Sequence, residues 1–191
     1  MMELSPDQQS RLLDLARMTI RAALGEAAAA IVDGLEPPCR VPAGCFVTLH
    51  TLREHRLRGC IGQFGNAEPL SDCVVEMARS VLRDPRFASN RVALDELPQL
   101  EIELTILSPL EPVGSVMEFD LLDDGIYLHC QGETGCFLPQ VARETGWDKV
   151  TLLNRLCAEK MGLSPDAWRD PSARLMRFKT FIVGPEPFVR S

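Results

Sequence analysis

Cys60 is the residue of this chain whose type and surroundings are best suited to chemistry. It lies between Gly59 and Gly62 in the stretch R-L-R-G-C-I-G-Q-F-G. A cysteine reacts through its thiolate, which a nearby positive charge favours, and Arg58 supplies such a charge. His50 is the candidate base, because a hairpin turn after it would return the chain toward Cys60. The alternative is a structural thiol, since free cysteine is among the most buried residue types.

The same stretch is also a candidate anion-binding site. Arg58 and the backbone N–H groups of Gly59, Ile61 and Gly62 could form a nest that holds an anionic group of a substrate. The two glycines would let the backbone adopt a positive φ or admit a ligand closely. They are equally typical of a β-bulge, which is the structural alternative. No G-K-[ST] sequence follows, so the stretch is not a phosphate-binding loop.

Gln140 is the substrate-binding candidate outside this stretch. It follows Leu138-Pro139, where a predicted strand gives way to a predicted helix. A side chain at such a junction can reach a ligand, although a polar residue in a first helical turn more often faces water.

The spacing of histidines and cysteines predicts no metal site. His50 with Cys60, or His129-Cys130 with Cys136, could supply ligands, but no CxxC, HExxH or other paired spacing is present. His129 and Cys130 are adjacent on a predicted strand, so their side chains would face opposite sides. No cofactor fingerprint is found either, since the chain lacks a dinucleotide G-x-G-x-x-G motif.

Hydrophobic periodicity predicts an α+β fold with a mainly antiparallel sheet flanked by helices. In residues 100–107 apolar and polar residues alternate, which is typical of an antiparallel strand with one polar face. The first helix begins at Ser5-Pro6-Asp7, a capping sequence, and ends near Gly25. The predicted strands are 43–52, 57–61, 100–107, 125–130, 135–138 and 174–183. The other predicted helices are 27–32, 69–82, 139–146 and 149–161, and residues 34–42 are predicted to be a loop.

Composition argues against several classes of function. The net charge is −7, so non-specific binding to nucleic acid or to an anionic membrane has no electrostatic support. No apolar run reaches the roughly 18 residues of a membrane span, and the first ten residues lack a signal-peptide pattern. The seven cysteines form no disulfide framework, which is typical of a reducing compartment. We therefore expect a cytoplasmic protein.

Several segments taken together resemble the AMMECR-one domain family, whose prokaryotic members are called AmmeMemoRadiSam system protein A. The central segment is Leu57-Arg58-Gly59-Cys60-Ile61-Gly62, which is similar to the six-residue motif of that family. The resemblance extends from about the first helix to Val183. The further segments that carry it are F-V-T-L at 46–49, D-P-R-F at 84–87, L-P at 97–98, F-L-P-Q-V-A at 137–142 and G-W-D at 146–148.

The resemblance implies a single domain over residues 5–183 with two unequal lobes, a cleft between them that the motif borders, and a tail at 184–191. It assigns no reaction. It implies a pathway shared with a Memo-like protein and a radical S-adenosylmethionine enzyme. The turn Glu54-His55-Arg56 replaces the glycine-containing turn expected of the family, so the resemblance assigns no function to His55. Cys136 replaces an aliphatic residue and is interpreted as a packing substitution.

Two functions remain open at this point. The first is a cysteine-dependent enzyme or pathway component in which Cys60 is the nucleophile or a thiol ligand, His50 a base, and Arg58 the partner of a small anionic ligand. The second is a non-catalytic module that binds a peptide or a partner protein in the same cleft.

Overall fold

The structure is a computed structural model that describes residues 4–26, 39–64 and 68–189. The predicted helix at 27–32 and most of the predicted loop at 34–42 lie outside these residues. The chain divides into two compact units, one formed by residues 1–107 and 181–191 and the other by residues 108–180. The predicted α+β class is confirmed, with two antiparallel sheets flanked by helices.

The first unit is a four-stranded sheet with two helices packed on one face. Its strands lie in the order β2-β1-β3-β8, and α1 and α2 contribute their apolar faces to a shared core. Along β1, Cys45, Val47 and Leu49 belong to this core, because alternate side chains of a strand face opposite sides. The bounds of these elements are α1 Pro6–Ala23, β1 Gly44–Thr51, β2 Leu57–Gln63, α2 Leu70–Ser80, β3 Leu100–Leu107 and β8 Thr180–Pro187.

The start of α1 follows the prediction from its capping sequence. The Ser5 side chain accepts a hydrogen bond from the Gln8 backbone, and the Gln8 side chain binds the Ser5 backbone in return. This reciprocal pair is a capping box, which satisfies backbone N–H groups that have no partner within the helix. Pro6 occupies the first turn, where its missing N–H has no cost.

The second unit is a four-stranded sheet in the order β4-β7-β5-β6, with two short helices. Its core contains the buried side chains of both helices and of the central strands β5 and β7. The β5–β6 turn is the two-residue pair Gln131-Gly132, both at positive φ, and is shorter than the predicted turn. The bounds are β4 Glu111–Pro112, β5 Gly125–Cys130, β6 Glu133–Phe137, α3 Pro139–Thr145, α4 Lys149–Arg155 and β7 Arg174–Phe178.

The predicted last strand, 174–183, is two strands that belong to different sheets. β7 ends at Phe178, and β8 begins at Thr180 in the sheet of the first unit. Residues 184–187, which were expected to form a tail, continue β8, and Phe188 is buried in the first core. Among the residues that the structure describes, no helix is long and apolar enough to cross a membrane.

Candidate functional site

The face of the first sheet that is turned away from the helices carries Cys60. Along β1, every second side chain is fully buried in the helix-covered core: Cys45, Val47 and Leu49. Thr48 and His50 alternate with these residues and therefore point to the other face. The register places Cys60 opposite Thr48, and Glu103 opposite Thr48 on its other side. We call this side of the sheet the thiol face.

Two rows of side chains cross the thiol face. The first row is Cys60 on β2, Thr48 on β1 and Glu103 on β3. The second row places His50 of β1 opposite Glu101 of β3. Side chains directly opposite one another on adjacent strands are close enough to interact, so each row is a set of neighbours fixed by backbone pairing.

Cys60 is half-buried, and its thiol has a hydroxyl partner. The Thr48 hydroxyl Oγ1 donates a hydrogen bond to Cys60 Sγ at 3.3 Å. Of the seven cysteines, all of which are free thiols, Cys60 and Cys136 are half-buried and the other five are buried. Burial raises the pKa of Cys136. Cys60 is therefore a partly accessible thiol beside a hydrogen-bond donor.

A buried carboxylate holds the backbone of Cys60 in place. Asp84 is 2% exposed, and its Oδ2 accepts a hydrogen bond from the Cys60 N–H at 2.9 Å. Arg86 Nη2 donates to Asp84 Oδ2 at 2.6 Å and to the Cys60 carbonyl at 2.9 Å. The hydrogen bonds from Arg86 lower the pKa of Asp84 to about 2. The D-P-R-F segment thus holds the backbone of Cys60 through one carboxylate and one guanidinium.

Arg58 is buried and already paired. Its Nε and Nη2 donate to the two carboxylate oxygens of Glu96 at 2.5 and 3.0 Å, and its guanidinium lies 5.5 Å from the centre of the Phe87 ring. Arg58 Nη1 is buried with no hydrogen-bond partner among the described residues. Arg58 is also the extra residue of a β-bulge, because Leu49 pairs with Gly59 and His50 pairs with Leu57.

The motif glycines allow close packing. A Cβ on Gly62 would lie 2.2 Å from Cγ of Phe46, and one on Gly59 would lie 3.0 Å from Cγ2 of Val81. Neither glycine has a positive φ, so the expected left-handed backbone is not found at these two described positions. Ile61 between them packs against the first core. A ligand that bound at Gly59, Ile61 and Gly62 would therefore contact their backbone groups.

His50 lies beside His55 and Glu101, and within the described part of the chain no hydrogen bond joins it to Cys60. The His50 and His55 rings are stacked with centroids 4.3 Å apart, and His55 Nδ1 contacts Glu101 Oε1. Burial, and then the neighbouring His55, lower the pKa of His50. Its Nδ1 is buried and has no hydrogen-bond partner in the described part of the chain. The ligand atoms of these three side chains lie within 4.8 Å of one another, close enough for a metal site.

Glu103 is a functional candidate that the sequence reasoning missed. It is half-buried on β3, and burial raises the pKa of its carboxyl. The Thr105 hydroxyl donates to Glu103 Oε1 at 3.4 Å. The alternation in β3 predicted a polar face but not its neighbours, because those are set by the β1–β3 register.

Gln140 belongs to the second unit, in the first turn of α3, as predicted. It is half-buried, and its Oε1 has no hydrogen-bond partner among the residues described. The other predicted site residues, Cys60, His50, Arg58, Gly59, Ile61 and Gly62, all belong to the β1–β2 hairpin of the first unit.

A second pair of cysteines lies within the first core. Cys45 and Cys73 have their sulfurs 3.5 Å apart, and both are buried. Their mutual hydrogen bond lowers the pKa of Cys73 to about 7 and raises the pKa of Cys45. Cys45 points into the core and Cys60 to the thiol face, so this pair is separate from the Cys60 site.

The fold and the motif define a class of protein: an α+β chain in two units, with the L-R-G-C-I-G segment as the second strand of a hairpin. The AMMECR1 family model matches residues 13–183. The chain therefore belongs to the AMMECR1 family.

Archaeal relatives and a solved structure resemble this chain over most of its length. A protein of Methanothermobacter thermautotrophicus is 37% identical over 187 residues, covering 94% of this chain and 95% of the relative. Protein MJ0810 of Methanocaldococcus jannaschii is 37% identical over 146 residues, covering 73% of this chain and 71% of the relative. The crystal structure of the uncharacterized protein PH0010 from Pyrococcus horikoshii matches with a TM-score of 0.82 and 29% identity, covering 94% of this chain and 92% of that one.

Proposed function

We propose that the chain acts on a small molecule through the thiol of Cys60, as a nucleophile or a thiol ligand. The observation that carries this proposal is the hydrogen bond from the Thr48 hydroxyl to Cys60 Sγ on the polar side of the sheet. A hydroxyl donor favours a negatively charged sulfur over a neutral one. The guanidinium of Arg86 binds the Cys60 carbonyl but is paired with Asp84, so the Thr48 hydroxyl is the group on which the proposal depends.

Glu103 is the proton donor or acceptor that this proposal assigns. It lies in the same row as Cys60 and Thr48, and burial raises the pKa of its carboxyl toward the range useful for proton transfer. His50 lies in the next row and has its own neighbours, so its role as a base stays a prediction.

We also propose that the substrate carries an anionic group and that the chain acts in a pathway with two partner proteins. Glu96 occupies two nitrogens of Arg58 and the third, Nη1, is buried, so binding of an anionic group of the substrate by Arg58 stays a prediction. A Memo-like protein and a radical S-adenosylmethionine enzyme are the partners implied by the family resemblance. A cytoplasmic setting, in which Cys60 would stay reduced, belongs to the same proposal.

The test is the rate at which each cysteine of the native full-length protein is alkylated by iodoacetamide, followed by mass spectrometry. We expect Cys60 to react roughly tenfold or more faster than Cys136, the other half-buried thiol, because only a thiolate attacks the reagent efficiently. Equal rates at these two thiols would overturn the proposal. Cys60→Ser identifies the reacting site, and Cys136→Ser is its matched control.

The second candidate function is a non-catalytic binding module. The observation that favours it is that the polar groups around the motif bind one another: Arg58 binds Glu96, and Asp84 binds the Cys60 N–H. Such contacts would stabilise the hairpin whether or not the thiol reacts. Slow alkylation of Cys60 in a protein whose hairpin is stable would support this function over the first.

A further inference from the structure

We infer that His50, His55 and Glu101 form a binding site for a divalent transition metal ion, with Zn²⁺ as the ion that fits best. The inference does not rest on the proposed function, because Cys60 is not one of the three ligands.

The three side chains converge from two strands and a turn. His50 and Glu101 are directly opposite each other on β1 and β3, and His55 lies at the β1–β2 turn. Each offers one ligand atom, and these atoms lie within 4.8 Å of one another. Ligand atoms about 2.1 Å from a tetrahedral Zn²⁺ are about 3.4 Å apart, a separation that lies within this limit.

His50, one of the three ligands, has an unsatisfied buried ring nitrogen. Its Nδ1 is buried and has no hydrogen-bond partner among the residues described. A buried polar atom without a partner has an unfavourable desolvation free energy, which coordination of a metal ion would remove. The His50 ring is held by the sheet backbone and by stacking against His55, so it need not be ordered when the ion binds.

His55 adopts a backbone conformation that is uncommon for its residue type. Its φ is 51°, in the left-handed region, where glycine is the least strained residue. This conformation places the imidazole over the sheet against His50 and in contact with Glu101. Because the His55 side chain is 62% exposed, an ion and a water molecule can reach the site from solvent.

The donor set selects the kind of ion. Two imidazoles and one carboxylate suit Zn²⁺ and related transition metals, whereas Ca²⁺ and Mg²⁺ prefer oxygen ligands alone. Three protein ligands leave a fourth tetrahedral position for water or a substrate oxygen, which is typical of a catalytic zinc site. The carboxyl group of Glu103, two residues along β3 on the same face, is the nearest further acid on that strand.

The test is titration of the untagged, metal-free full-length protein with Zn²⁺ by calorimetry, and with Co²⁺ by its visible absorption. His55→Asn is the decisive variant, because asparagine tolerates a positive φ and removes only the imidazole. Glu101→Gln removes the carboxylate, and His129→Asn is the control, since His129 is an exposed histidine of the second unit.

We expect one Zn²⁺ per chain and a tetrahedral Co²⁺ spectrum. In His55→Asn and Glu101→Gln the affinity should fall by at least the roughly tenfold to hundredfold that loss of an outer-shell partner costs. His129→Asn should bind as the native protein does. Equal affinity of the native protein and His55→Asn, or no binding at all, would overturn the inference. Binding that is lost in Cys60→Ser but kept in His55→Asn would also overturn it, since the metal would then belong to the thiol.

Discussion

The hydroxyl of Thr48 and the thiol of Cys60 face each other across adjacent antiparallel strands, with Oγ1 and Sγ 3.3 Å apart. Both side chains belong to a face of the sheet that the helices do not cover. Each residue is placed by backbone pairing, so the contact does not depend on a flexible loop. The influence of the Thr48 hydroxyl on the reactivity of the Cys60 thiol can therefore be tested by substitution.

Thr48→Val should slow the alkylation of Cys60. Valine has nearly the same shape and removes only the hydroxyl, and a hydrogen bond to a charged group contributes about 1.5 kcal/mol, or roughly tenfold in rate. The measurement is the iodoacetamide rate at a fixed pH near neutrality. Thr19→Val is the matched control, because Thr19 is a buried threonine of the first unit whose hydroxyl donates to the Leu15 carbonyl within α1. An unchanged rate in Thr48→Val would exclude the hydroxyl as an influence on the thiol.

Asp84→Asn should destabilise the first unit by about 2 kcal/mol at neutral pH, because it removes a buried carboxylate that binds Arg86 and the Cys60 N–H. The pKa of Asp84 is about 2 in the folded protein, compared with 3.8 for an aspartate outside the fold. The stabilisation of the folded state by Asp84 is therefore present above about pH 4 and is lost as the pH falls toward 2. Urea denaturation at pH 7 and near pH 2.5 measures this difference.

The matched control for Asp84 is Asp123→Asn. Asp123 also pairs with an arginine, Arg143, but both side chains are more than half exposed. An exposed ion pair contributes little, so this variant should unfold as the native protein does at both pH values. A loss of stability in Asp84→Asn that persists unchanged near pH 2.5 would contradict the assigned role of its charge.

Gly62→Ala should destabilise the hairpin more than Gly59→Ala does. The added Cβ at Gly62 would lie 2.2 Å from the Phe46 ring and 2.7 Å from the Cys45 carbonyl oxygen, so backbone and ring must both move. At Gly59 the closest contact is 3.0 Å from a methyl group of Val81. Overpacking of this kind costs about 1–3 kcal/mol. Thermal and urea denaturation of the two variants give the order, and equal stabilities would contradict it.

Glu103→Gln should make the protein more stable at pH 7 and change its stability little at pH 4. Burial raises the pKa of Glu103 in the folded state, so the native protein loses stability as the pH rises from about 4.5 through the folded value. Glutamine has no such titration. Urea midpoints across this range measure the effect, with the exposed Glu111→Gln as the control. A native-like pH dependence in Glu103→Gln would assign the titration to another group.

Local sequence signals predicted the elements well where the determinants are close in sequence. Ser5 with Gln8 defines the start of α1, and the polar turn after Thr51 defines the hairpin. The division of the predicted last strand was not visible. Lys179, at the break, has both backbone groups bound to Ser108, which is far away in the chain. No periodicity in the strand itself reports such a contact.

The same difference between determinants that are close in the sequence and determinants that are distant applies to the candidate site. Cys60 was singled out because glycine, arginine and cysteine are adjacent in the chain. Asp84, a neighbour of Cys60, and Glu101, a neighbour of His55, were missed because they reach the hairpin from other elements, 24 and 46 residues away in the chain. A spacing rule for metal ligands fails for the same reason, since β1, its turn and β3 each supply one group.

Because of the bulge at Arg58, the ion pair of Arg58 with Glu96 and the position of the Cys60 thiol are separate properties of the motif, although the two residues are close in the sequence. Arg58 is the additional residue between Gly59, which pairs with Leu49, and Leu57, which pairs with His50. A hairpin one residue shorter at this point would have an uninterrupted ladder, and Cys60 would still be opposite Thr48. The ion pair with Glu96 would be lost while the thiol kept its position. In this sense the arginine is an additional residue in a strand that presents the cysteine without it.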